Sequence, residues 1–240
     1  MGAGWGYFLY SVTIPTLLFA AALGLSAVSA RAQTYAPLGH DSLTRRGYTL
    51  VFVNRDSAFS ATTKQRMTEA FFTVYPQQAR RFNRQTRRRV TFVINPAYQG
   101  VAATDRGIVD YSPRWLREHP EDIDVVTHEV MHIVQAYPPG SAPGWLTEGI
   151  ADYARYRYGV NNAAGNWALP AYKAGQTYTN SYRVMARFLV WLEQHGHPQV
   201  VDKLDAAART RRYTPAIWQQ QTGQSLDELW AAYAAAPDVR

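Results

Sequence analysis

Two histidines and a glutamate in one short segment have the spacing of a metal site. His128-Glu129-Val130-Met131-His132 is an H-E-x-x-H motif inside DIDVVTHEVMHIVQAY, whose other residues suit a buried helix. Because residues four apart share one helix face, both imidazoles can reach one Zn²⁺ at about 2.0–2.1 Å, and Glu129 can hold the metal's water. The alternative is a pair of hydrogen-bonded core histidines with Glu129 exposed. We predict zinc binding by His128 and His132.

A catalytic zinc ion takes three protein ligands and keeps a fourth position for water, so a further donor is required. Glu148 follows in GWLTEGIADY, and the Pro- and Gly-rich stretch 137–144 allows this second helix to fold back on the first. Glu148 and Asp152 are four apart and share a face. We predict that Glu148 completes the ligand set and that Asp152 orients a liganding imidazole. Alternatively, Glu148 stabilises its helix N-terminus and Asp152 is a surface acid.

The H-E-x-x-H and E-x-x-x-D segments resemble those of the gluzincin metallopeptidases. A closer similarity is to the basic secretory protein family of plant and bacterial peptidases, and its motifs cover nearly all of the chain after residue 47. They are YTLVFVNR, GVAATDRGIVDYS, HEVMHIVQ, GWLTEGIADYARY, SYRVMARFLVWLE and TGQSLDELWAAY. The resemblance implies a secreted, zincin-like enzyme with His128, His132 and Glu148 as metal ligands and Glu129 as catalytic base.

Hydrolysis also needs a hydrogen-bond donor at the developing oxyanion. Tyr182 is the candidate, because it opens the helix of the family-like ARFL segment and related peptidases use a tyrosine there. An ordinary tyrosine packed at a helix start is the alternative. Tyr153 is disfavoured, since it lies about 100° around the helix from Asp152. His195 and His197 flank Gly196 and indicate a helix end more than a metal site.

The elements that must position these residues indicate an α+β fold. Residues 48–53 and 90–94 predict strands and 62–84 a helix between them, interrupted or kinked at Pro76. Segments 101–104 and 107–111 predict a hairpin or a sheet edge, along which a peptide could lie if 107–111 is the edge. Helices are predicted near 121–136, 145–158, 180–195, 198–209, 214–221 and 225–235. We therefore expect a zincin-like domain with a small mixed sheet, an N-terminal helix, an active-site helix and a mainly helical C-terminal half.

Composition and charge narrow the function classes. The chain of 240 residues has no cysteine, which excludes disulfides, thiolate metal sites and cysteine nucleophiles. Its net charge is +7, but six arginines within residues 80–89 supply the excess, since 19 basic residues elsewhere face 18 acidic ones. This cluster predicts a solvated helix end, with binding of phosphates or acidic polymers as the alternative. A nucleic-acid partner is not expected.

The N-terminal segment predicts export from the cytoplasm. Residues 1–30 carry no charged side chain, and an apolar stretch rich in Ala, Gly and Ser ends in small residues. This is typical of a signal peptide over 1–32, with an uncleaved membrane anchor as the alternative. We expect a leader at 33–47, one metallopeptidase domain at 48–240, and no stable membrane insertion after cleavage. The protein would then be secreted, periplasmic or extracellular.

Together these observations predict a secreted zinc metallopeptidase that acts on polypeptides through a metal-activated water, with Glu129 as general base. One alternative is a non-catalytic secreted zinc protein whose arginine cluster binds acidic polymers. Another is an amide hydrolase of the cell wall, since the same zinc chemistry serves both kinds of amide.

Overall fold

The computed structural model describes residues 39–239, and these form a five-stranded mixed sheet with helices. The strand order is β1-β2-β3-β5-β4, in which β2-β3 and β3-β5 are parallel and the two outer pairs are antiparallel. The α+β class with a small mixed sheet is confirmed. The strands are β1 Gly39–Arg45, β2 Tyr48–Asn54, β3 Arg89–Ile94, β4 Ala102–Asp105 and β5 Ile108–Tyr111.

Strand β1 lies within residues 33–47, where the sequence predicted only a leader. All seven of its residues are exposed, and it pairs antiparallel with β2 along its whole length. The connecting turn places Arg46 at φ 51° and Gly47 at φ 78°, as a two-residue hairpin turn requires. The strand is held by backbone pairing and has no buried apolar face, so its sequence shows no alternating hydrophobic pattern.

Helix α1, Ala61–Arg81, connects β2 to β3 and packs against the sheet. Ser60 accepts a hydrogen bond from the backbone N–H of Thr63 and caps its first turn. The predicted interruption at Pro76 is wrong, because the helix continues through it to Arg81. Tyr75 and Ala79 on either side of Pro76 are fully buried, so packing stabilises the last turns despite the missing backbone donor.

The C-terminal half is helical, as predicted. One short helix, α2, was not predicted, and α3 begins four residues later than the predicted start at 121. The seven helices after β5 are α2 Pro113–Glu118, α3 Val125–Gln135, α4 Gly144–Tyr158, α5 Tyr182–Gln194, α6 Val200–Arg209, α7 Ala216–Thr222 and α8 Leu226–Ala235.

Helices α4 and α5 approach closely at Gly149. A Cβ atom at this position would lie 2.3 Å from Cγ and 2.8 Å from Cβ of Met185. The absence of a side chain at Gly149 therefore lets α5 pack directly on the helix that carries Glu148 and Asp152.

The predicted signal peptide and the first residues of the predicted leader lie outside the described residues. Among residues 39–239, no helix combines the length and the hydrophobicity needed to cross a membrane.

Candidate metal centre

Helix α3 carries the H-E-x-x-H motif through the interior of the protein. Val130, Met131 and Val134 are fully buried, which fixes the rotation of the helix about its axis. The helix ends at Ala136, whose left-handed backbone (φ 45°) starts the turn toward α4. Helix α4 then packs along α3, so that the carboxylate side chains of α4 face the two imidazoles.

Three side-chain atoms converge between α3 and α4. The Nε2 atoms of His128 and His132 lie 3.2 Å apart, and Oε2 of Glu148 lies 3.2 Å from the first and 3.6 Å from the second. All three donor atoms lie within 4.8 Å of one another. The structure thus brings together the three residues that the sequence singled out as zinc ligands.

The opposite nitrogen of each imidazole binds an acceptor. His128 Nδ1 lies 2.8 Å from Oδ1 of Asp152, and His132 Nδ1 lies 2.8 Å from Oε1 of Gln135. Because both partners are acceptors, each Nδ1 carries a hydrogen, and a neutral ring presents its Nε2 lone pair to the centre. Gln135 is itself held through Nε2, which donates to the carbonyl oxygen of Thr147.

The arrangement fits a zinc ion on its donor chemistry and spacing. With bonds of about 2.0–2.1 Å and tetrahedral angles, zinc ligands lie about 3.3 Å apart, close to the separations found here. Two imidazole nitrogens and a carboxylate oxygen with their lone pairs directed at one another need a cation between them.

The electrostatics of the cluster also favour positive charge at its centre. Burial alone would lower the pKa of His128, but hydrogen bonds to Asp152 and Glu148 outweigh it and raise the pKa to about 10. Burial would raise the pKa of Glu148, whereas its hydrogen bonds to His128 and His132 hold that pKa well below its usual range. Both shifts have the same cause, the mutual stabilisation of the carboxylates and of positive charge between them, which a bound metal ion would supply.

Glu129 is oriented by the edge strand of the sheet. Its side chain is 7% exposed, and Oγ1 of Thr104 lies 2.7 Å from Oε2 and 3.1 Å from the backbone oxygen of Glu129. Since both atoms are acceptors, the threonine hydroxyl is the donor. Strand β4, which carries Thr104, pairs antiparallel with β5 and forms the edge beside α3. The hairpin, one of the two predicted alternatives, is thus confirmed, and the sheet edge is β4 and not 107–111.

One cavity of about 1150 Å³ contains all the predicted site residues. Tyr182 opens α5 at its wall and is 53% exposed. Tyr153, by contrast, is buried and hydrogen-bonds Glu193 and Arg81. His195 stacks on Trp191 at the end of α5, in agreement with the predicted helix end. The site residues in the cavity wall are His128, Glu129, His132, Glu148, Asp152 and Tyr182.

Sequence reasoning missed two residues of the site, Gln135 and Thr104. Gln135 follows His132 by three positions on the same helix, a spacing that places side chains together and could have indicated the contact. Thr104 is distant from Glu129 in the chain, and no local pattern identifies it.

The chain matches a family described as "Peptidase of plants and bacteria" (BSP) over residues 38–233. It belongs to this family. The resemblance to the basic secretory proteins found in the sequence is thereby confirmed, and the match begins at β1 and ends within α8. A search of curated proteins gives no match to this BSP chain.

Two solved structures are similar to the BSP chain in fold. A two-domain M1 zinc metallopeptidase mutant bound to L-tryptophan has a TM-score of 0.51 at 14% identity, over 85% of this chain and 53% of that one. An M1 zinc metallopeptidase mutant from Deinococcus radiodurans, bound to a Tyr-Ser-Ala substrate, has a TM-score of 0.52 at 14% identity with the same coverage. The chain thus spans about half the length of these metallopeptidases. At this identity the similarity shows the fold alone, and it confirms the zincin-like class.

Proposed function

We propose that the protein is a secreted zinc-dependent metallopeptidase in which Glu129 is the general base. The observation that carries this proposal is the convergence of His128, His132 and Glu148 within 4.8 Å, in the cavity that also contains Glu129. Membership of a peptidase family supports a polypeptide as the substrate. We place the start of the catalytic domain at β1, because this strand is part of the sheet.

The metal would be held by Nε2 of His128, Nε2 of His132 and the carboxylate of Glu148. Zinc supplies Lewis acidity at the scissile carbonyl and lowers the pKa of water. Asp152 and Gln135 keep the two imidazoles in the tautomer that offers Nε2.

Glu129 takes a proton from the attacking water as its oxygen forms a bond to the carbonyl carbon. The same carboxyl group then delivers that proton to the amine nitrogen as the carbon–nitrogen bond breaks. The hydrogen bond from Thr104 fixes one carboxylate oxygen of Glu129. The second oxygen is then the one that receives and returns the proton.

Tyr182 is the proposed donor to the oxygen that gains negative charge during attack. Its phenol is half-exposed in the cavity, at the first residue of α5. Such a donor stabilises the transition state more than the substrate. Removal of one donor lowers kcat by a factor of about 10²–10³.

The base assignment is tested with Glu129→Gln. This variant should bind zinc stoichiometrically and lose hydrolysis of denatured casein by at least about 100-fold. The exposed Glu118 lies outside the cavity and provides the control variant Glu118→Gln. Undiminished hydrolysis by Glu129→Gln would remove Glu129 from the mechanism.

The metal assignment is tested with Glu148→Ala and with a chelator. Glu148→Ala should purify without stoichiometric zinc, and a chelator should abolish wild-type hydrolysis until zinc is restored. Metal removal should also lower the thermal unfolding midpoint, since zinc binds the folded state. Peptidoglycan fragments assayed beside casein distinguish a peptidase from a cell-wall amide hydrolase. N-terminal sequencing of the exported protein tests cleavage near residue 32.

A further inference from the structure

Six arginines lie between the last turn of α1 and the first residue of β3. One of their side chains points into the protein, and the other five are exposed. Arg81 points inward and binds Glu193 and Asp202 at 2.7 Å. The other five are exposed and have no carboxylate within 4.0 Å among the residues that the structure describes. These are Arg80, Arg84, Arg87, Arg88 and Arg89.

Arg87 alone among these five lines the cavity of the metal centre. Its side chain passes over the β4–β5 turn, where a Cβ on Gly107 would lie 2.6 Å from Cδ of Arg87. Gly107 has φ +90°, so the turn requires glycine for its backbone, and the same glycine leaves room for the arginine. Arg88 instead lies over the Tyr48 ring of β2, at 4.6 Å, on the other side of β3.

Among residues 39–239, no carboxylate lies within 4.0 Å of the Arg87 guanidinium, whereas other charged groups of the cavity wall have partners. Arg106 pairs with Asp105 at 3.0 Å, and Arg155 pairs with Asp122 at 2.5 Å. The cavity carboxylates of Glu129, Glu148 and Asp152 bind Thr104 or the two histidines. Arg87 is thus the arginine of the cavity wall that has no carboxylate partner among the described residues, whereas Arg106 and Arg155 are each paired.

Arg87 lies beside the last turn of α3. Its neighbour Thr86 donates a hydrogen bond to the carbonyl oxygen of Ile133, one residue beyond His132. Ala136, Tyr137 and Pro139 line the same cavity just beyond the helix end. A substrate held across the zinc ligands can therefore extend toward the guanidinium.

We propose that Arg87 forms a subsite for a carboxylate of the substrate, so that the enzyme prefers acidic polypeptides. The inference rests on the proposed peptidase activity. A guanidinium is the side chain best suited to a carboxylate, because two parallel N–H donors match its two oxygens. The neighbouring exposed arginines add to the positive potential around Arg87 and favour the approach of an acidic chain. The carboxylate is either an acidic side chain or the C-terminus of the substrate.

The test uses two sets of N-acetylated peptides that are neutral except at the tested group, with cleavage sites assigned by mass spectrometry. One set is amidated and carries a single Glu, Gln or Lys moved through successive positions, and the other compares a free C-terminus with an amide. In one of the two sets, we expect the wild type to prefer the peptide whose carboxylate stands at one fixed distance from the scissile bond. Its kcat/KM should be at least about tenfold higher than that of the uncharged counterpart. Arg87→Gln should abolish this preference, and Arg87→Glu should reverse it in favour of lysine.

Arg84→Gln is the matched control, because Arg84 belongs to the same exposed run but does not line the cavity. It should keep the preference at physiological salt. Equal ratios of kcat/KM in wild type and Arg87→Gln would overturn the subsite while leaving peptidase activity intact. A wild type that holds zinc but cleaves no peptide or denatured protein would overturn the proposed function.

A binding measurement separates the subsite from turnover. In the Glu129→Gln background, fluorescence anisotropy of the preferred acidic peptide should show about tenfold weaker binding when Arg87→Gln is added. The matching neutral peptide should bind both proteins equally. Equal affinities for the acidic peptide would count against the subsite.

Discussion

At the scale of single residues, both imidazoles and the carboxylate of Glu129 are held by neighbours that are not themselves proposed to bind the metal. Asp152 and Gln135 fix the two imidazoles, and Thr104 fixes Glu129. The ligands could be predicted because their chemistry requires fixed types at helical spacing. Their supporting residues need only offer an acceptor or a donor in the right place, which many residue types can do, so the sequence identified Asp152 alone among them.

Thr104 should affect catalysis without affecting the metal. Thr104→Val keeps the shape of the side chain but removes the hydrogen bond to Glu129, so the carboxylate becomes free to rotate. We expect kcat to fall about tenfold, in line with about 1.5 kcal/mol for a hydrogen bond to a charged group. The zinc content and KM should not change, and Thr104→Ser should restore activity. An equal loss of kcat in Thr104→Val and Thr104→Ser would mean that Thr104 acts only through packing and not through its hydrogen bond.

Gln135 should determine metal affinity. Gln135→Ala removes the acceptor of His132 Nδ1, and the ring loses its fixed tautomer and orientation. We expect zinc affinity, measured by competition with a chromophoric chelator, to fall about 10- to 100-fold. Gln77 on α1 is exposed, and its side-chain amide donates to the carbonyl oxygen of Thr73 far from the metal centre, so Gln77→Ala is the control. An unchanged zinc affinity in Gln135→Ala would show that the hydrogen bond to His132 is not needed and that orientation of His128 by Asp152 is sufficient for metal binding.

At the scale of elements, the position of Glu148 depends on how closely α4 approaches α5. Gly149→Ala would place a Cβ 2.3 Å from Cγ of Met185, so one helix must move. We expect a loss of about 1–3 kcal/mol in unfolding free energy, measured by urea denaturation, with weaker zinc binding. Gly144→Ala is the matched control on the same helix, because nothing lies within 4 Å of that position. Met185→Ala removes the Cγ contact but keeps Cβ, which would lie 2.8 Å from the new Cβ. A smaller cost of Gly149→Ala in the Met185→Ala background than in the wild type would identify the Cγ contact as the main cause.

The elements that sequence analysis predicted are those with a buried face. Strands β2 and β3 and helices α3, α4 and α5 carry periodic apolar residues because each packs against the core. Strand β1 lacks such a face, and the six-residue α2 is too short for a periodic pattern. The interruption predicted at Pro76 is wrong because the sequence shows only the local effect of proline on the backbone. It does not show that Tyr75 and Ala79 are buried and stabilise the helix.

At the scale of the whole described fold, two charged networks connect the C-terminal helices to the rest. Arg81 at the end of α1 binds Glu193 of α5, Asp202 of α6 and the hydroxyl of Tyr153 in α4. Asp205 of α6 accepts a hydrogen bond from Tyr137, in the segment between α3 and α4. The C-terminal helices thus contact α4 through Tyr153 and the segment that follows α3 through Tyr137.

Asp205 should make the contact through Tyr137 sensitive to pH. It is fully buried and lies 2.6 Å from Arg209, and burial, only partly offset by Arg209 and Tyr137, raises its pKa from 3.8 to about 6. Because the folded state then binds the proton more tightly than the unfolded state, ionisation costs stability as pH rises from about 4 to 6. The shift corresponds to about 3 kcal/mol. We expect the unfolding free energy of the wild type minus that of Asp205→Asn to fall by about this amount between pH 4 and pH 7. Subtraction removes the constant cost of the substitution, so a difference that is flat or rises with pH would contradict the prediction.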